Sequence, residues 1–117
     1  RKLNRQQLIF LNTYHNMKLT TEFQSIRDWA EEKGIYSKGD PKTQYIKLCE
    51  EMGELAQSIL KQDEAEFKDA IGDCVVVLTN LAKLKGYTIE ECINGSYDVI
   101  AKRTGKMVNG TFVKEQN

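Results

Sequence analysis

Apolar residues recur three and four positions apart through most of this chain, and β-branched alternation is scarce before residue 106, so the pattern predicts helices. Four are expected. The first runs from about Thr21 to Lys33, opened by a Thr21-to-Gln24 capping box and closed by Gly34. The second starts at Pro41 with Asp40 as its cap and continues to about Lys61. The third opens at Asp63, with Glu66 three residues on, and runs to Lys85 before Gly86. The fourth opens at Thr88, with Glu91 three residues on, and reaches about Arg103. The pattern then changes: Asn109-Gly110 stands between Met107-Val108 and Thr111-Phe112-Val113, which signals a tight hairpin. Short connections make neighbouring helices antiparallel, giving an all-α, four-helix-type bundle with a short C-terminal β-hairpin.

A chain of 117 residues is one domain with one core, and oligomerisation would help to stabilise it. The chain does not begin with methionine and Met17 is followed at once by a helix-start pattern, so residues 1–16 read as an N-terminal extension and residues 17–117 as the domain. Basic and acidic residues balance to a net charge of zero, which removes nucleic acid and an anionic membrane as default partners. No run of about 18 apolar residues exists and the N-terminal stretch is unlike a secretory signal, so a soluble cytoplasmic protein is expected. Cys49, Cys74 and Cys92 are far apart and form no CxxC pair, which argues against a disulfide framework or a thiolate zinc site; they are expected as buried free thiols.

The chemistry concentrates in acids placed beside apolar residues. On the second helix Leu48, Met52, Leu55 and Ile59 make a core stripe, and Lys47, Glu51, Glu54 and Ser58 run directly beside it, while Glu50 points away. On the third helix Glu66, Asp69, Asp73, Asn80 and Leu84 fall within a wedge of about 60°. From Ala70 to Leu84 that helix is apolar on nearly every side, which marks it as central, yet Asp73 and Asn80 interrupt the run. A lone buried carboxylate costs several kcal/mol and needs a partner. Antiparallel packing lets Glu51 and Glu54 face Asp69 and Asp73, and four converging carboxylates repel one another unless a divalent cation joins them. Oxygen donors with no histidine nearby favour Mg²⁺, with Mn²⁺ as a substitute, over zinc. The only histidine is His15, which excludes a Glu-x-x-His di-iron bundle. The plain alternative is a solvated glutamate pair, with Lys47 held by Glu51 one turn on.

The segments "KLCEEMGELA", "DAIGDCVVVLTNLA" and "RTGKMVNGTFVKE" together resemble the MazG-type nucleotide pyrophosphohydrolases of the all-α nucleoside triphosphate pyrophosphatase superfamily. The resemblance runs from about Thr21 to Glu115. Glu50, Glu51 and Glu54 match the family's Glu-Glu-x-x-Glu, Asp73 its final aspartate and Asn80 its downstream asparagine. The glutamate expected three residues before Asp73 is Ala70 here, and Asp69 stands one position earlier. The resemblance implies Mg²⁺-dependent hydrolysis of a (deoxy)nucleoside triphosphate to the monophosphate and pyrophosphate, in nucleotide-pool house-cleaning with a deoxynucleotide preference. It implies Glu51, Glu54, Asp73 and in addition Asp69 as metal ligands, Glu50 or Glu51 as the proton acceptor, and Lys47 and Asn80 at the substrate. Lys102, Arg103 and Lys106 read either as charges favourable at a helix C-terminus or as phosphate contacts. "RDW" is similar to a motif of related deoxycytidine triphosphate pyrophosphatases, where the tryptophan lies against the base. Trp29 reads first as core with base stacking as the alternative, and Tyr97 reads first as core. Relatives imply a homo-oligomer, a tetramer built as a dimer of dimers in preference to a dimer. The rivals are a phosphoribosyl-ATP pyrophosphohydrolase and a non-catalytic helical interaction module, the latter favoured by Ala70 alone.

Overall fold

A computed structural model describes residues 2–115 of the chain and, for residues 14–19, the backbone alone. Helix α1 (Arg5–Glu32) is opened by Asn4, whose side chain accepts from the Gln7 N–H at 2.8 Å while the Gln7 side chain accepts from the Asn4 N–H at 3.0 Å. The helix therefore begins far earlier than the expected Thr21. No glycine or proline stands between Asn4 and Thr21, so a helix nucleated at Asn4 propagates through. Thr21 and Gln24 end up in its interior, and the helix crosses from residue 16 to residue 17 without a break.

At Gly34, in the left-handed region at φ 82°, the chain leaves α1 and makes one further short turn of helix, α2 (Ile35–Lys38), which the periodicity does not predict. Helices α3 (Pro41–Leu60), α4 (Glu64–Leu84) and α5 (Ile89–Ile100) carry the expected caps at Asp40, Asp63 and Thr88. Helix α5 stops before the expected Arg103. Thr104 and Glu115 are joined at the base of the hairpin by a side-chain bond of 2.7 Å and a backbone bond of 2.8 Å, so the chain must leave the helix ahead of them. Strands β1 (Gly105–Val108) and β2 (Thr111–Lys114) pair antiparallel, with Val108 opposite Thr111. Asn109 and Gly110 have φ of 50° and 82°, the two positive values that a type I′ turn requires.

Helix α4 is the centre: α3 packs most extensively on it, and α1, α2 and α5 each touch it. Its inner stripe, Ala70, Val77 and Asn80, is buried, with Asp73 half-buried between them. Helix α3 meets it with Glu51 and Ser58, the two residues it buries. The apolar stripe expected as core is thereby left to the side. Leu48 and Leu55 are half-buried, but Met52 and Ile59 are 55% and 58% exposed. Tyr97 and Trp29 are exposed rather than core residues, and of the cysteines expected to be buried only Cys74 is half-buried, Cys49 and Cys92 being exposed. A part-buried ion pair, absent from the sequence pattern, ties α1 to α5: both terminal nitrogens of the Arg27 guanidinium donate to the Glu90 carboxylate, at 2.7 and 2.8 Å. The chain exposes 9727 Å², whereas a compact monomer of its mass exposes about 6,500 Å².

Candidate metal and active site

The geometry of α3 against α4 brings three of the predicted acids together. Oxygens of Glu51, Glu54 and Asp73 lie within 4.8 Å of one another. Glu51 and Glu54 are adjacent because they are three residues apart on α3, and Asp73 reaches them because it interrupts the stripe of α4 that packs there. Glu51 is the buried member, and its Oε2 is enclosed with no hydrogen-bond partner among the described residues. Its Oε1 is 3.4 Å from the Lys47 ammonium, which also lies 3.2 Å from Glu50.

One ammonium cannot balance this much negative charge. The charge of Glu51 pushes the Glu54 carboxyl above its ordinary value, against the opposing pull of Lys47. Asp73 is raised by burial first, then by Asp69 and Glu51. Burial and the same acids raise the Cys74 thiol, which keeps it protonated and unsuited to bind metal. An orphaned buried carboxylate oxygen, two partners held toward protonation and an all-oxygen donor set fit a hard divalent cation.

The remaining predicted residues take other places. Asp69, which is exposed, acts on Asp73 through its charge and lines a groove with it, but stands outside the three-carboxylate group. Ala70 is 2% exposed, on the same inner stripe as Asp73, so the position where a fourth acid is expected is filled by core packing. Glu50 is exposed and paired with Lys47. Asn80 lies two turns beyond Asp73, buried to 2% exposure, and its Oδ1 accepts from the Tyr36 hydroxyl at 2.6 Å. Lys102, Arg103 and Lys106 are exposed where α5 gives way to the hairpin, and their side chains make no hydrogen bond or ion pair among the described residues.

Beside the acids, α1 and α4 enclose a groove of about 380 Å³ lined by Glu22, Ser25, Ile26, Trp29, Asp73 and Val76. The exposure of Trp29 is thus explained: its ring forms a wall of the groove that Asp73 borders. The sequence reading missed Glu22, Ser25, Ile26 and Tyr36. The first three share a spacing of three and four with Trp29, a stripe that was available in the pattern. Tyr36 sits in a turn between two glycines, where no periodicity marks it.

Among known proteins, the chain is 44% identical over 59 residues to an uncharacterized 18.2 kDa protein of the rep-hol intergenic region of Haemophilus phage HP1 (strain HP1c1), an alignment covering 50% of this chain and 36% of that protein. The chain therefore spans about a third of that relative's length. No solved structure matches it. The family model of the MazG nucleotide pyrophosphohydrolase domain matches residues 40–108, a segment that holds all three converging carboxylates, and the chain belongs to that family.

Proposed function

We propose that this chain hydrolyses a (deoxy)nucleoside triphosphate to the nucleoside monophosphate and pyrophosphate, with Mg²⁺ held by Glu51, Glu54 and Asp73 and a preference for deoxynucleotides in pool house-cleaning. The observation that carries this reading is the trio of carboxylates within 4.8 Å, one bearing a buried oxygen without a partner among the described residues, inside the segment that matches the family. A bound divalent ion supplies neutralisation of phosphate charge and a lowered pKa for water. Glu51 and Glu54 on one helix and Asp73 on the other would hold that ion at the seam of α3 and α4, where it would meet the reacting phosphate. Glu50, outside the trio and exposed, or Glu51 accepts the proton of the attacking water. The triphosphate's charge is met by Lys47, already at the edge of the cluster, and by Lys102, Arg103 and Lys106 on assembly, since the isolated chain leaves these three unpaired among the described residues. Trp29 stacks on the base in the groove beside Asp73. Asn80 supports the site from within through Tyr36. The chain assembles as a homotetramer, a dimer of dimers, and the exposed stripe of α3 supplies one of its interfaces.

Two measurements test the reading. Mg²⁺ is expected to raise the melting temperature of the native chain and to leave Asp73→Asn unmoved, with turnover of that variant reduced about 100-fold or more. A native chain indifferent to Mg²⁺ and to Mn²⁺ leaves the non-catalytic module as the better account. Product analysis over the common ribo- and deoxyribonucleoside triphosphates and phosphoribosyl-ATP identifies the substrate. Release of phosphate in single steps, in place of pyrophosphate, contradicts the proposed chemistry.

A further inference from the structure

Helix α1 continues well beyond the body of the protein. Every described side chain from Lys2 to Thr13 is exposed, including Leu8, Ile9, Phe10 and Leu11. Those four are consecutive, and at 100° per residue they point to nearly all sides of the helix. A flat lipid surface covers one side of a helix, whereas this segment needs enclosure by protein. Its own chain cannot provide it. Arg27, where α1 is tied to α5, lies about 25 Å along the unbroken helix from Phe10, so the arm cannot fold back.

A second unpartnered face lies on α5. Ile93, Tyr97 and Ile100 recur at spacings of four and three, and all three are exposed. The charges of the two segments are complementary. No acid precedes Glu22 while Arg1, Lys2, Arg5 and Lys18 are basic, whereas α5 has no lysine or arginine and carries Glu91 and Asp98 besides the Glu90 that Arg27 already neutralises. The exposed area supplies the scale: the 9727 Å² exposed exceeds that of a compact monomer by roughly 3,000 Å², more than the roughly 1,000–2,500 Å² that one subunit gives to an obligate interface.

We infer that the N-terminal half of α1 is a docking arm, seated in the assembled protein against the Ile93, Tyr97 and Ile100 face of a second copy of this chain. A two-fold arrangement lets each copy give its arm and receive the other's. The arm lies outside residues 40–108, the family-matched segment, and contributes none of the three carboxylates.

Sedimentation of the full-length chain without nucleotide or metal is the test, with helix content followed by circular dichroism. The native chain is expected as an oligomer. The arm variant Ile9→Glu/Phe10→Glu and the receiving-face variant Tyr97→Glu are each expected to fall to half that mass or less with helix content retained. A monomeric native chain, or an unchanged mass in either variant, overturns the proposal. So does co-sedimentation of the native chain with phosphatidylserine vesicles that the arm variant loses while its mass stays constant, which would make the arm a membrane contact.

Discussion

Glu51 holds a buried oxygen that no hydrogen bond reaches among the described residues, and its charge helps to raise both Glu54 and Asp73. Such a cluster is unfavourable until a cation occupies it, so fold and function pull in opposite directions at this residue. Glu51→Gln removes one charge from the cluster. It is expected to gain about 0.5–2 kcal/mol in urea denaturation without metal and, under the proposed function, to respond less to Mg²⁺ than the native chain. A variant that is less stable than the native chain in metal-free buffer would count against an uncompensated cluster. Glu90 is the opposite case. Its bidentate bond to Arg27 holds its carboxyl below the ordinary value. The stability it contributes is fully present above the ordinary glutamate range and is lost as pH falls through the depressed value. Glu90→Gln leaves the buried Arg27 without its counter-charge. It is expected to cost about 1.5–3 kcal/mol at neutral pH and to flatten the acid limb of the stability profile, which a pH series of denaturation midpoints measures.

Helix α2 is too short to stand by its own backbone bonds, and a side-chain bond from Tyr36 to Asn80 pins it to α4. Tyr36→Phe leaves the buried Asn80 oxygen unpaired and is expected to cost about 1–3 kcal/mol, read by equilibrium unfolding; an unchanged midpoint would mean that α2 is held elsewhere. Neither α2 nor this bond was legible in the pattern, because both depend on where a non-periodic turn lands in three dimensions. What the sequence did reveal were features decided within a few residues: the caps at Asp40, Asp63 and Thr88, and the Asn109-Gly110 turn. The start of α1 was missed for a related reason. Thr21 and Gln24 form a cap only if the residue before them leaves the helix, and the true capping box at Asn4 and Gln7 removes that condition. Glu51, Glu54 and Asp73 were legible as a site because helical spacing puts them on facing edges. Asp69 was placed with them by the same spacing, but the rotation of α4 that buries Ala70 turns it outward. The side of α3 that meets α4 was not fixed by spacing either, since the acidic edge and the apolar stripe lie next to each other on the wheel.

That choice of face determines the stability of the whole molecule. The residues of α3 buried against α4 are Glu51 and Ser58, and the buried apolar residues among those described are Ala30, Ala70, Val77 and Ile89, mostly small side chains. A core of this kind recovers little hydrophobic free energy, while Met52, Ile59, Ile46 and Leu60 on α3 remain exposed. The Cα radius of gyration, 17.7 Å, also exceeds the roughly 13 Å of a compact chain of this length. The proposed assembly would cover these faces, and mass action would then make unfolding depend on concentration. For a dimer, each tenfold rise in protein concentration adds about 1.4 kcal/mol and is expected to raise the melting midpoint by about 3 °C. Ile59→Glu, on the open stripe of α3, is expected to lower that midpoint and lessen its dependence on concentration, because a carboxylate there must stay in water. Differential scanning calorimetry across two decades of concentration separates the outcomes. A native midpoint independent of concentration would show that this sparse core suffices alone, and that the exposed stripe of α3 serves a purpose other than assembly.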